Sequence, residues 1–244
     1  MFQTIRPLLA LLGLCISLSA AEPARAQQRD QGTFGLAIRG ITAGLLSFDG
    51  TADGKTYAVV GKLQSSGILA IVRKIRFDAS SSGRIRSGVW RPQRYDEVAD
   101  TGKRQSKSRL EYSGGVPREM LKASRAGVPN YVDPATQGGT VDPMTALFAM
   151  LRSVPVAEAC TLKLVMFDGA RRSQIALAAA EVTGETIACN GEYRRLKGFN
   201  DTEMAEKQRF AFRVTYEPAG EGRVRIALIT LETLYGRAIL KRQP

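Results

Sequence analysis

The residues able to do chemistry in this 244-residue chain are few, and the first fact about them is an absence: there is no histidine. That excludes Ser-His-Asp and Cys-His catalysis and removes the commonest zinc ligand. No Gly-x-Ser-x-Gly elbow, Ser-x-x-Lys pair, P-loop or dinucleotide fingerprint occurs. What remains are carboxylates. Asp49, Thr51, Asp53 and Gly54 open like an EF-hand loop, but Val60 stands where the bidentate glutamate belongs, so the segment reads as a hairpin turn. Asp96, Glu97 and Asp100 cluster between Pro92 and Gly102 and read as solvated acids of a turn. Paired-carboxylate catalysis needs a fixed separation across a cleft, which spacing along the chain does not supply. Asn200-Asp201-Thr202 fits a glycosylation sequon, relevant only in a host with the machinery. The pattern names no catalytic residue, no metal ligand and no cofactor.

The cysteines and the first residues argue together. Arg6, the apolar run from Leu8 to Leu18 and the small-x-small triplet Ala24-Arg25-Ala26 follow the order of a secretory signal, with cleavage expected after Ala26. The run is shorter than the ~20 residues a membrane anchor needs. Cys15 follows Leu14 where a lipobox wants a small residue, so a lipoprotein is not expected. Processing would leave residues 27–244 as one exported, periplasmic domain with two cysteines, Cys160 and Cys189. An even pair in an oxidising compartment reads as a disulfide, the alternative being two free buried thiols. Their spacing is not Cys-x-x-Cys, so the expected role is structural rather than redox.

The charge is strongly basic. Loss of Arg6, Arg25 and Glu22 with the signal takes the net charge from +12 to +11. Residues 84–125 hold eleven Lys/Arg against five Asp/Glu. Lys103, Lys107 and Arg109 fall on one face of an expected strand and form the candidate patch for an anionic partner, such as lipid head groups or lipopolysaccharide phosphates. The plainer reading is a solvated face, since lysine on an edge strand also blocks sheet-to-sheet association. Nucleic acid is not expected, because export argues against it and no aromatic platform interleaves the cations.

The elements that must position these residues are mostly strands. Phe210, Phe212, Val214 and Tyr216 alternate with polar neighbours at period two, and Gly-containing turns recur at short intervals. The pattern predicts strands near 33–48, 55–64, 67–78, 84–91, 104–113 and 116–124, then 160–167, 171–181, 185–196, 207–217, 222–232 and 235–242. So many consecutive strands must curl into a barrel, a half-barrel or two packed sheets. Residues 126–141 read as a long linker-like loop rich in Gly, Pro, Thr and Asp. Asp142-Pro143 then has the form of a helix start, and Pro155 forbids extension, which predicts one helix over about 143–154. It is apolar almost all round and so must be buried against the concave face. The plainer reading of its apolar surface is simple core packing; in the sharper one the helix is a plug, and Met144, Leu147, Phe148 and Leu151 are the candidate residues to line a lipid-sized groove.

Several segments resemble a known family. Asp142-Pro143, Cys160, Phe167-Asp168-Gly169-Ala170-Arg171-Arg172, Cys189-Asn190-Gly191-Glu192-Tyr193-Arg194-Arg195 and Gly198-Phe199 look like domain of unknown function 3108. Upstream, Gly67-Ile68-Leu69, Arg91-Pro92-Gln93-Arg94-Tyr95 and Lys103-Arg104 are similar to the same family. The resemblance implies an exported Gram-negative envelope protein whose mainly β fold is a curled open antiparallel sheet, a half-barrel or spiral, around one helix. It is similar in fold to periplasmic lipoprotein carriers and to the family of unknown function 1849. No catalytic residue carries over.

Two readings from different classes follow. In the first, the chain is a non-catalytic binding or scaffolding protein for an amphiphile (lipid, lipoprotein or lipid A) or an envelope protein, touching the membrane peripherally if at all. In the second, a carboxylate pair in the same concavity acts as a hydrolase or transferase. A purely structural envelope role is the third alternative.

Overall fold

A computed structural model describes residues 28–72, 74–102, 105–121 and 130–244. The expected signal at 1–26 and Lys103 lie outside the described residues. The first half contains β1 (Gln28–Ile38), β2 (Ile41–Ala52), β3 (Thr56–Ser65), α1 (Gly67–Val72), β4 (Arg76–Arg86), β5 (Val89–Asp100), β6 (Gln105–Ser113) and β7 (Val116–Glu119). The second contains α2 (Pro143–Leu151), β8 (Val154–Pro155), β9 (Lys163–Phe167), β10 (Arg172–Thr183), β11 (Thr186–Lys197), α3 (Asp201–Glu206), β12 (Arg209–Pro218), β13 (Arg223–Thr233) and β14 (Gly236–Arg242).

All fourteen strands join one antiparallel sheet in the order β7-β6-β5-β4-β3-β2-β1-β14-β13-β12-β11-β10-β9, with the short β8 paired to β13. The first and last described strands therefore meet in its middle, Leu36 opposite Leu240. The sheet is not closed: β7 and β9 are its free edges. It curls around α2 so that inward positions such as Phe34, Phe48, Tyr95, Leu110, Val214 and Ile226 are buried with the helix in one core.

Four expectations need correction. The span 33–48 is two strands, because Arg39 and Gly40 both take positive φ and form a two-residue hairpin turn. Arg is an unusual residue there, so the turn carries no sequence signal. Likewise 84–91 straddles a hairpin turned by Ser87 and Gly88, again both with positive φ. The span 67–78 begins as α1 and becomes a strand only at Arg76, since a short apolar run has no period that separates helix from strand. The linker reading of 126–141 fails over its described part: Val132, Gln137, Thr140 and Val141 are buried.

That last segment occupies the seam between the two edges. Gly139 N–H donates to Gly115 O beside β7, while Val141 exchanges backbone hydrogen bonds with Val165 and Phe167 of β9. Ser108 on β6 spans the same gap directly, its hydroxyl donating to Asp168 O at 3.2 Å. An open edge is a template for association, and here the chain covers its own.

Helix α2 is short, about 13 Å at 1.5 Å per residue, and ends at Leu151 rather than 154. Arg152 turns extended, Ser153 N–H donates to the Asp30 carboxylate at 2.9 Å, and Val154–Pro155 become β8. The sheet admits the helix closely because two inward positions are glycine. A Cβ at Gly50 would lie 2.6 Å from the Phe148 ring, and one at Gly61 would lie 2.7 Å from Met144 Sδ. Cys160 and Cys189 form a disulfide with a Cα–Cα distance of 5.5 Å, tying the segment before β9 to β11 across β10.

Candidate functional site

The concave face is not filled completely. Beside the first turn of α2 a groove of about 460 Å³ opens at the end of the barrel that carries the β1–β2 turn, α1 and the β13–β14 turn. Its walls are inward side chains: Leu36 and Ile38 of β1, Leu46 of β2, Leu63 of β3, Phe77 and Ala79 of β4, Tyr95 of β5, and Leu231, Ala238 and Leu240 of β13 and β14. Pro143, Met144 and Leu147 form its floor, and Lys62, Glu97 and Thr233 are its polar members. Period-two alternation turns apolar residues of seven strands inward, and a helix of only about two and a half turns leaves the space beside it unfilled.

Of the four expected groove residues, Met144 and Leu147 line it. Phe148 and Leu151 do not. Both are fully buried further along the same stripe of α2, where Phe148 packs among Phe48, Gly50 and Trp90. Helical spacing places all four on neighbouring positions, but the sheet encloses the helix, so one stripe meets two different environments. The groove walls themselves were legible only as inward parity. Nothing local marks Leu36 or Phe77 as groove rather than core.

Asp96, Glu97 and Asp100 lie on β5, not in a turn. Alternation sends Asp96 out and Glu97 in. Tyr95 O–H donates to Glu97 Oε2 at 2.7 Å, and burial, reinforced by the Glu97 charge, pushes the Tyr95 phenol well above its ordinary value. Glu97 is the carboxylate that lines the groove among the described residues.

Beneath the groove floor a second carboxylate is sealed in. Asp142 caps α2: Oδ1 accepts from Thr145 N–H at 2.8 Å, and Oδ2 accepts from Thr145 Oγ1 at 2.6 Å and Ser81 Oγ at 2.8 Å. Thr145 has spent its one proton on Asp142, so Tyr57 O–H is the donor in its 2.7 Å bond to Thr145 Oγ1. Burial raises the Asp142 carboxyl to about 6, against the downward pull of those hydrogen bonds. Its partners saturate it, and it holds the helix to β3 and β4. Among the described residues no group of three or more Cys, Asp or Glu side chains is placed to hold a metal ion.

The basic stripe has a different character in three dimensions. Lys107 and Arg109 project from the outer face of β6, but acids are interleaved with them. Cross-strand register sets Arg109 opposite Asp96 and, one row along, Lys62 opposite Asp78. Arg109 and Arg94 both hydrogen-bond the Asp96 carboxylate. Partial burial pushes that carboxyl up, and the two guanidiniums outweigh it and hold it low. Arg109 is therefore paired rather than presented.

Residues 32–229 match the family described as "Protein of unknown function (DUF3108)". The chain belongs to the DUF3108 family. No curated protein matches it. Among solved structures, this DUF3108 protein is similar to a beta-barrel-like protein of domain of unknown function DUF1849 from Brucella abortus. The two are 9% identical, with a TM-score of 0.48 over 87% of this chain and 94% of the other. No helix among the described residues is long and apolar enough to cross a membrane.

Proposed function

We propose that this DUF3108 protein is an exported, periplasmic, non-catalytic binding protein that holds the acyl part of an amphiphile in the groove beside α2. The observation that carries this reading is the groove itself: about 460 Å³, within the range of small-molecule sites, and apolar on nearly every wall. Burying an acyl chain there contributes about 0.8 kcal/mol per methylene, so about ten buried methylenes supply the ~8 kcal/mol of a micromolar Kd. The single wall carboxylate, Glu97, is engaged by Tyr95 and has no second acid beside it in the groove, which favours binding over carboxylate-pair hydrolysis.

The test is native mass spectrometry of the protein recovered without detergent from the periplasm of a Gram-negative host, followed by analysis of extracted small molecules. A discrete added mass that proves to be lipid is expected, and Ala79→Phe, which projects a ring into the groove, should abolish it. A clean apo mass, together with failure of a fluorescent fatty acid to bind in solution, would overturn the reading in favour of a protein partner or a structural role.

A further inference from the structure

Large apolar side chains are exposed at several places on the surface, and one group of them lies on the rim of the groove. Ile41 (59% exposed) follows the β1–β2 turn, Ile71 (87%) lies on α1, and Leu234 with Tyr235 (74%) form the β13–β14 turn. These three segments are neighbours held by backbone bonds. Arg39 N–H donates to Arg237 O, joining the first turn to the last, and Ser66 N–H donates to Ala43 O, laying α1 against the start of β2. Gly67 sits against Thr42 at the same junction.

Cations sit among these apolar groups. Arg39 and Lys74 are exposed and form no ion pair among the described residues, and the Arg39 side chain lies over Gly236. On the β13–β14 hairpin Glu232 is neutralised by Arg237. Side chains as exposed as Ile71 and Tyr235 contribute little to the stability of the folded chain, whereas an interfacial patch needs apolar groups that enter the acyl boundary, an aromatic at head-group depth and cations facing anionic lipid. Val89 and Val182, also exposed, are isolated on hairpins at the other end of the barrel.

We propose that this rim docks on the surface of an anionic bilayer, which brings the groove mouth against the lipid and lets an amphiphile pass between membrane and groove without crossing water. The inference rests on the groove reading and adds the partner surface and the route. It commits to a lipid surface because the apolar side chains are few, protruding and separated by cations, a pattern suited to head groups rather than to a flat protein interface.

The experiment is flotation of the protein with vesicles of phosphatidylglycerol and phosphatidylcholine, against vesicles of phosphatidylcholine alone, for wild type, the double variant I71S/Y235S and the control V89S. Binding of a fluorescent fatty acid is measured separately, without vesicles. Wild type and V89S should float with anionic vesicles, and I71S/Y235S should lose association by on the order of tenfold or more with its melting temperature and fatty-acid affinity intact. Equal flotation of the double variant, equal loss in V89S, or no flotation of wild type would overturn the rim assignment while fatty-acid binding left the groove reading standing. Flotation without fatty-acid binding would overturn the groove reading, and with it the proposed exchange.

Discussion

Ser81 on β4 donates a hydrogen bond to Oδ2 of Asp142, 61 residues further along the chain, at 2.8 Å and fully buried. A local capping residue is thereby also a long-range tie, since the same carboxylate that satisfies the first turn of α2 anchors the helix to the sheet. Truncating it would leave the Thr145 N–H without its acceptor in the core, at a cost of about 1–3 kcal/mol, and would turn the Ser81 hydroxyl to its longer 3.2 Å acceptor, Arg94 O.

The raised Asp142 carboxyl makes stability depend on pH in a defined direction. Its folded value is about 6, above the ~3.9 of an unfolded aspartate. The folded state therefore holds the proton more tightly, and this contribution is complete below the unfolded value and lost as pH rises through the folded one. Denaturant unfolding should show a decline of roughly 2–3 kcal/mol between about pH 4 and about pH 6.5 that is missing in Asp142→Asn. A decline of the same size in the variant would show that Asp142 is not its source.

The glycine at position 50 is required by the Phe148 ring. Gly50→Ala should lower unfolding stability by about 1–3 kcal/mol, and Phe148→Leu in the same chain should return part of it, a coupling measurable as a double-mutant cycle. Purely additive losses would mean that the helix moves aside without cost.

The Cys160–Cys189 bridge closes a loop with a sequence separation of 29. In the chain-entropy model its removal by Cys160→Ser with Cys189→Ser costs about 3–4 kcal/mol. Thermal unfolding with and without reductant checks this: reductant should lower the wild-type midpoint to that of the double variant and leave the variant unmoved.

Because Asp96 binds both Arg94 and Arg109 on an exposed face, Arg109→Ala should cost less than about 1 kcal/mol and leave vesicle association unchanged. A large fall in flotation with this variant would instead locate anionic binding on the outer face of β6.

The amino-acid sequence by itself determined much of this protein. Strict alternation, as in Phe210, Phe212, Val214 and Tyr216, dictates strands with one face inward, because successive side chains leave a strand on opposite sides. Asp142-Pro143 and a run apolar but for Thr145 dictate a buried helix, since its cap is local chemistry and its surface has no face fit for water. The cysteine pair was legible from number and expected compartment. Turns built on Arg39-Gly40 and Ser87-Gly88 were not legible, because positive φ at Arg and Ser is imposed by the strands they join.

Only the tertiary structure decided which apolar residues face space and which face each other. Met144 and Phe148 are one helical turn apart and chemically alike, yet one borders a groove and the other fills the core. The difference lies in the curvature of a sheet whose end strands pair in its middle. Likewise, whether Arg109 is a presented charge or a paired one depends on Asp96, which cross-strand register places opposite it. Register and curvature are properties of many strands together, and no window of the sequence contains them.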